Sequence, residues 1–265
     1  MPFCRAVVGV LAVLAVQFAC AVAPASAAPI APEYVALGDS YAAGLGAGAY
    51  DPASGSCKRS ATAHPQLWAR AHGIPSFRFA ACTGASTMDV VADQVGQLSL
   101  ETGLVTITVG GTDAGFSDVL VTCTLGGDQQ CADRAATAVS FVRTELPGRF
   151  DRTYAAIRAR APQAKVVVLG YPRLFSFTPC LLGLSQAKRK VLNDGANVLA
   201  EVTSDRARAA GFTFVDVRDA FAGHGVCAPN PWLHGLSVPV NESYHPTASG
   251  QVDGYLPLLT AAAWP

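Results

Sequence analysis

Two short segments near opposite ends of the chain carry residues suited to covalent catalysis. Tyr34-Val35-Ala36-Leu37-Gly38-Asp39-Ser40-Tyr41 sets a serine just after an apolar run, and Ser243-Tyr244-His245-Pro246 sets a histidine near the C-terminus. A serine hydroxyl attacks poorly at neutral pH until an imidazole takes its proton, so the pair has meaning only if the fold joins them. Asp39-Ser40 also reads as an ordinary helix cap. The two readings are compatible, because a helix start offers free N–H groups and a positive dipole end where an oxyanion would form. Among the five histidines, His245 is set apart by the proline after it and by Glu242 three positions before it.

Two glycine-bearing segments lie between them, Ala81-Cys82-Thr83-Gly84-Ala85-Ser86-Thr87 and Val109-Gly110-Gly111-Thr112-Asp113-Ala114-Gly115-Phe116. Gly84 has no side chain to keep a substrate from its backbone N–H. Thr112 offers a hydroxyl donor, and Asp113 is expected to brace its loop by bonding local backbone N–H groups. The four segments, in this order, resemble the SGNH (GDSL) hydrolase family, and most of all its secreted actinobacterial lipases and esterases. The resemblance runs from Tyr34 to about Gly250 and takes in Gly170-Tyr171-Pro172, Phe214-Val215-Asp216-Val217 and Trp232-Leu233-His234-Gly235.

That resemblance implies a flavodoxin-like three-layer α/β/α sandwich around a mostly five-stranded parallel sheet. It implies hydrolysis of carboxylic esters, lipid or acyl esters foremost, through an acyl-enzyme on Ser40 with His245 as general base. Ser40, Gly84 and Thr112 would form the oxyanion hole. The partner is then a small-molecule ester or lipid, the protein a monomer, and no cofactor or metal is needed. Two departures stand out. The family's Gly-x-Asn-Asp has Thr112 in place of asparagine, shorter by one bond and with one proton to donate. Its usual aspartate is Glu242 here, one methylene longer, so either the Glu242 carboxylate or a backbone carbonyl orients His245. Two other readings stay open: an esterase for acetylated carbohydrate, or a weakly active or inactive binding protein of this fold, given Thr112. Phe116, Leu174, Phe175, Phe177 and Trp232 are candidates for an acyl groove.

Such residues need a scaffold. Apolar runs of strand length occur at Tyr34–Leu37, Phe77–Ala80, Leu104–Val109, Lys165–Leu169 and Phe212–Val217, with helical patterns between most of them. That alternation predicts a parallel sheet covered on both faces, with reactive groups at the carboxyl ends of its strands. One helix is predicted from a Ser185 cap through Leu192, Ala196 and Leu199 to Gly211. Another helix or pair is predicted across Ala132 to Ala161, broken at Pro147-Gly148.

Arg5, an apolar stretch from Val7 to Ala23 and Ala25-Ser26-Ala27 read as an export signal over residues 1–27. Residues 28–265 are then one hydrolase domain, secreted to the extracellular space. Nineteen Lys and Arg balance nineteen Asp and Glu, so a polyanion such as nucleic acid is not indicated, and no later stretch has the length and apolarity of a membrane span. Outside the leader remain Cys57, Cys82, Cys123, Cys131, Cys180 and Cys227, an even number that suits three disulfides in an exported protein. Sequence permits many pairings. Closeness along the chain favours Cys57-Cys82 and Cys123-Cys131, leaving Cys180-Cys227, and the family resemblance implies the same. Zinc is disfavoured by the lack of a C-x-x-C pair, and Gly44 to Ala49 matches a dinucleotide-loop pattern without the helix that must follow it.

Overall fold

The computed structural model describes residues 33–180 and 183–263, so the predicted export segment lies outside the described residues. Five strands form one sheet: β1 (Glu33–Gly38), β2 (Phe77–Phe79), β3 (Thr102–Thr108), β4 (Lys165–Leu169) and β5 (Thr213–Val215). All neighbours are parallel, in the order β2-β1-β3-β4-β5. Each predicted apolar run supplies one strand. Beyond their first residues, Glu33 and Lys165, β1 and β4 are buried residue after residue, which a strand needs when helices cover both its faces.

The helices are α1 (Ser40–Ala43), α2 (His64–Ala71), α3 (Thr87–Asp89), α4 (Phe116–Leu125), α5 (Asp128–Thr144), α6 (Leu146–Arg160), α7 (Gln186–Ala209) and α8 (Leu256–Ala263). α2 and α8 pack together against the sheet, while α5, α6 and α7 pack on one another to form the other layer. Ser185 caps α7 by accepting from Lys188 N–H at 3.2 Å, and Gly211 follows its end at φ +71°. The break between α5 and α6 falls at Glu145 rather than at Pro147-Gly148. Proline lacks an N–H that the first helical turn does not use, so Pro147 opens α6 instead of ending α5.

After β1 the chain goes outward to β2 and then returns across β1 to β3. The sheet therefore has its switch point between β1 and β3, where a crevice opens beyond the strand ends. Ser40 follows β1 and Thr112 follows β3, so both flank that crevice. Disulfides join Cys57 to Cys82, Cys123 to Cys131 and Cys180 to Cys227. The first ties the loop ahead of α2 to the segment bearing Gly84; the second joins α4 to α5. No helix among the described residues is long and apolar enough to cross a membrane.

Candidate active site

Ser40 is the first residue of α1, with Asp39 as its N-cap: Asp39 Oδ1 accepts from Tyr41 N–H at 2.9 Å. The cap ends the strand, so Ser40 opens the helix directly beyond it. The Gln94 side chain brackets the preceding peptide, its Oε1 accepting from Gly38 N–H at 2.7 Å and its Nε2 donating to Gly38 O at 2.9 Å. Asp39 Oδ2 accepts from Tyr171 O–H, whose oxygen also accepts Gly111 N–H at 3.0 Å. One tyrosine therefore ties the turn after β1 to the turn after β3. Burial pushes the Asp39 carboxyl up to about 7, against the lowering effect of the Tyr171 bond.

His245 comes from 205 residues away, and its Nε2 lies 2.8 Å from Ser40 Oγ. Its Nδ1 lies 3.0 Å from the carbonyl of Ser243. A carbonyl only accepts, so Nδ1 carries the proton and Nε2 is free to accept from the serine. Burial pushes the His245 pKa down to about 4, with the Ser243 carbonyl countering in part. Tyr244, just before it, holds a left-handed φ of +64°, a conformation that stores strain in a residue other than glycine. Its carbonyl accepts from Tyr41 O–H at 2.7 Å. The neighbour of the serine thus grips the neighbour of the histidine.

Of the two partners the sequence leaves open for His245, the Ser243 carbonyl faces Nδ1, and the Glu242 carboxylate makes no hydrogen bond to the ring. Glu242 Oε1 instead accepts from Tyr50 O–H at 2.7 Å, and the Tyr50 oxygen accepts Gly46 N–H at 2.8 Å. Gly46 O in turn bonds His234 Nε2 at 2.7 Å, and the His234 backbone pairs with Tyr244 and His245. Glu242 therefore acts at one remove, locking the loop after α1 onto the His245 segment. Gly46 is required there: a Cβ on it would lie 2.8 Å from Pro246 O and 3.1 Å from His245 Cβ.

Ser40 N–H and Gly84 N–H have no hydrogen-bond partner among the described residues, as oxyanion donors awaiting a substrate require. Gly84 is exposed at φ +82°, and a Cβ there would meet nothing within 4 Å, so its glycine answers to backbone conformation rather than crowding. Thr112 is exposed on the turn after β3, and its hydroxyl bonds no described residue. Asp113 does not bond its own loop. It reaches 26 residues back to Thr87, accepting from its N–H at 2.8 Å and its hydroxyl at 2.7 Å, and pairs with Arg149 at 3.1 Å. It thereby joins the Gly84 and Thr112 segments.

Of the groove candidates, Phe116 and Leu174 line an apolar cavity of about 90 Å³ that Tyr41 and Tyr171 also line. Phe175 instead packs on Tyr244, Trp232 stacks on His224, and Phe177 is exposed. Sequence reasoning missed Tyr41, Tyr50, Gln94 and the bracing role of Tyr171. Tyr41 and Tyr171 carried a signal, each lying inside a segment that resembles the family.

Residues 36–252 match the profile of the GDSL-like lipase/acylhydrolase family. The chain belongs to that family. Membership makes it an acyl-ester hydrolase. Among its relatives, a Streptomyces coelicolor protein named Lipase 1 is 50% identical over 255 residues, covering 96% of this chain and 95% of that one. The crystal structure of phospholipase A1 from Streptomyces albidoflavus NA297 is 48% identical with a TM-score of 0.86, over 88% of this chain and all of that one. That of the extracellular lipase from Streptomyces rimosus is 50% identical, also at 0.86 and with the same coverage.

Proposed function

We propose that this GDSL hydrolase is an extracellular lipase that cleaves carboxylic esters of fatty acids through an acyl-enzyme on Ser40. The observation that carries the reading is the contact of 2.8 Å between Ser40 Oγ and His245 Nε2, with Nδ1 held protonated by the Ser243 carbonyl. His245 takes the Ser40 proton as Oγ attacks the ester carbonyl, then delivers it to the departing alcohol. Water completes the cycle by the same route in reverse. The tetrahedral oxyanion accepts from Ser40 N–H and Gly84 N–H, with the Thr112 hydroxyl as third donor.

Relatives named lipase and phospholipase A1 favour a lipid ester over acetylated carbohydrate, and an apolar cavity beside the dyad suits a hydrocarbon chain better than a sugar. A binding protein without turnover is disfavoured because both reactive groups are present and in contact. Cleavage after Ala27 would release residues 28–265 as the secreted enzyme, in keeping with the three disulfides. Hydrolysis of a triacylglycerol emulsion and of a soluble acyl ester tests the reading. Ser40→Ala abolishes both in a protein that keeps its fold; substantial turnover by that variant would overturn it.

A further inference from the structure

We propose that Tyr171 is a positioning residue of the oxyanion hole, its hydroxyl holding the Thr112 donor in line with Ser40 N–H. The proposal rests on the Ser40 acyl-enzyme reading and adds what aligns its donors. Those donors come from separate strands, since Ser40 follows β1 and Thr112 follows β3. Past the paired residues Gly38 and Thr108, the last backbone bond between the two runs from Asp39 N–H to Thr108 O at 2.9 Å. Beyond it the ladder no longer fixes how far apart the two turns lie. The Tyr171 hydroxyl takes over there, donating to Asp39 Oδ2 and accepting from Gly111 N–H at 3.0 Å. Asp39 Oδ1 accepts Tyr41 N–H as the cap of the helix that Ser40 opens, and Gly111 is the residue before Thr112.

The Thr112 turn is bonded within itself and moves as one piece: Ala114 N–H donates to Gly110 O, Gly115 N–H to Thr112 O and Phe116 N–H to Gly111 O. Its side-chain ties outward are two. Asp113 leads to Thr87 and Arg149, on the Gly84 side, and Tyr171 leads to Ser40. Gly111 is fitted to the second tie. Its φ is not left-handed, so its backbone does not demand glycine, but a Cβ there would lie 3.2 Å from Tyr171 Cζ and 3.3 Å from the phenol oxygen. Any side chain at 111 would push the hydroxyl off the amide. On the other flank the buried Tyr171 ring packs edge to face on Tyr41, with centroids 5.0 Å apart, which keeps the phenol from swinging away. A hydroxyl donates and accepts at one atom, so phenylalanine of the same shape holds neither turn.

A double-mutant cycle between Tyr171 and Thr112, read on a soluble acyl ester, tests the role. Tyr171→Phe lowers kcat about ten-fold or more and leaves KM within about two-fold, because oxyanion donors act in the transition state. In wild type Thr112→Val lowers kcat about ten-fold; in the Tyr171→Phe background it does so by less than about two-fold, since the donor it removes is already out of line. Tyr41→Phe is the control. It releases the Tyr244 carbonyl on the histidine side, and Thr112→Val keeps its full factor there. If Tyr171→Phe fails to fold, Gly111→Ala carries the same cycle, lowering kcat by a smaller factor and shrinking the Thr112→Val effect. An unchanged kcat in the folded variant, factors that simply multiply, or the same shrinkage in Tyr41→Phe would overturn the proposal. With Ser40→Ala inactive, such a result removes the positioning role alone. Substantial turnover by Ser40→Ala would remove the acyl-enzyme reading and the positioning role with it.

Discussion

His245 and His64 are alike by every measure except one. Both are buried, and burial pushes both down to about 4. Both have Nδ1 fixed by an oxygen acceptor, the Ser243 carbonyl for His245 and Gln251 Oε1 at 2.7 Å for His64. Both therefore present a bare Nε2. That of His245 meets a serine hydroxyl, whereas that of His64 meets no hydrogen-bond partner among the described residues and its ring stacks on Tyr255. A depressed pKa and a fixed tautomer describe a buried imidazole in general. Only what faces the second nitrogen distinguishes a base from a strut.

His64 is a strut with a traceable connection. Gln251, which accepts from its ring and its backbone N–H, donates to Tyr41 O at 3.1 Å. The same Tyr41 holds the carbonyl of Tyr244. One histidine thus supports the scaffold on which the other works.

Paired alanine substitutions are the strongest way to break this comparison. His245→Ala lowers kcat by about 10⁴-fold or more, since serine and base act as one unit, and leaves the stability curve nearly in place. His64→Ala destabilises by roughly 2–4 kcal/mol, through a cavity and an unpaired Gln251, while the folded fraction keeps its kcat. Urea unfolding and active-site-titrated rates separate the two; equal rate losses would erase the distinction.

What lies beyond the serine sharpens it next. Thr112→Val, nearly the same shape, lowers kcat by about ten-fold with little change in KM, because a donor aimed at the oxyanion contributes only in the transition state. An unaltered kcat would leave Ser40 and Gly84 as the only donors.

The shared pKa gives a third test, in which both histidines act on stability and His245 alone acts on the rate. The kcat/KM profile stays flat as pH falls through the ordinary imidazole value of 6.5 and declines with a midpoint near 4, where His245 gains a proton. For stability, an unfolded chain takes up protons near 6.5 that folded His64 and His245 each refuse until about 4, so stability is lost as pH falls across that interval, by one proton for each histidine. Asp39 works the other way. Its carboxyl, pushed up to about 7 from 3.8, keeps a proton in the fold that the unfolded chain releases, so its contribution grows as pH falls between those values. His64→Phe therefore flattens the acid loss of stability by about one proton, roughly 1.4 kcal/mol per pH unit, seen in urea midpoints across the interval. An activity midpoint near 6.5 would contradict the burial of His245.

The smallest effect concerns what stands behind each Nδ1. In a triad where an acid orients the histidine, changing acid to amide costs about 10⁴ in kcat. Here Glu242→Gln keeps an acceptor for Tyr50 O–H and changes kcat by less than about three-fold. A loss of triad size would return Glu242 to the imidazole.

Much of this was legible in the sequence. Strands buried on both faces must be apolar throughout, so β1 and β4 stood out, and their alternation with helical periods gave the sheet its class. Ser40, Gly84 and His245 lie in compact segments whose residue types suit the tasks proposed for them. The partner of Glu242 was not legible, because the spacing Glu-x-x-His orients nothing when the intervening chain passes through Tyr244 at φ +64°. Backbone direction there decides that Nδ1 meets a carbonyl. Asp113 was misjudged for a related reason: its bond to Thr87 spans 26 residues, and a local rule sees only neighbours. Pro147 reads as a stop in the sequence because its missing N–H breaks a helix interior, whereas at a helix start the same lack is harmless.

Trapping the covalent intermediate tests the central claim most directly. Mass spectrometry of the protein quenched during turnover of a slowly deacylating ester should find one acyl group, located on the Ser40 hydroxyl, absent from Ser40→Ala and no longer accumulating in His245→Ala. An acyl group on another residue, or steady turnover by wild type with Ser40 never modified even when deacylation is made rate-limiting, would contradict the account.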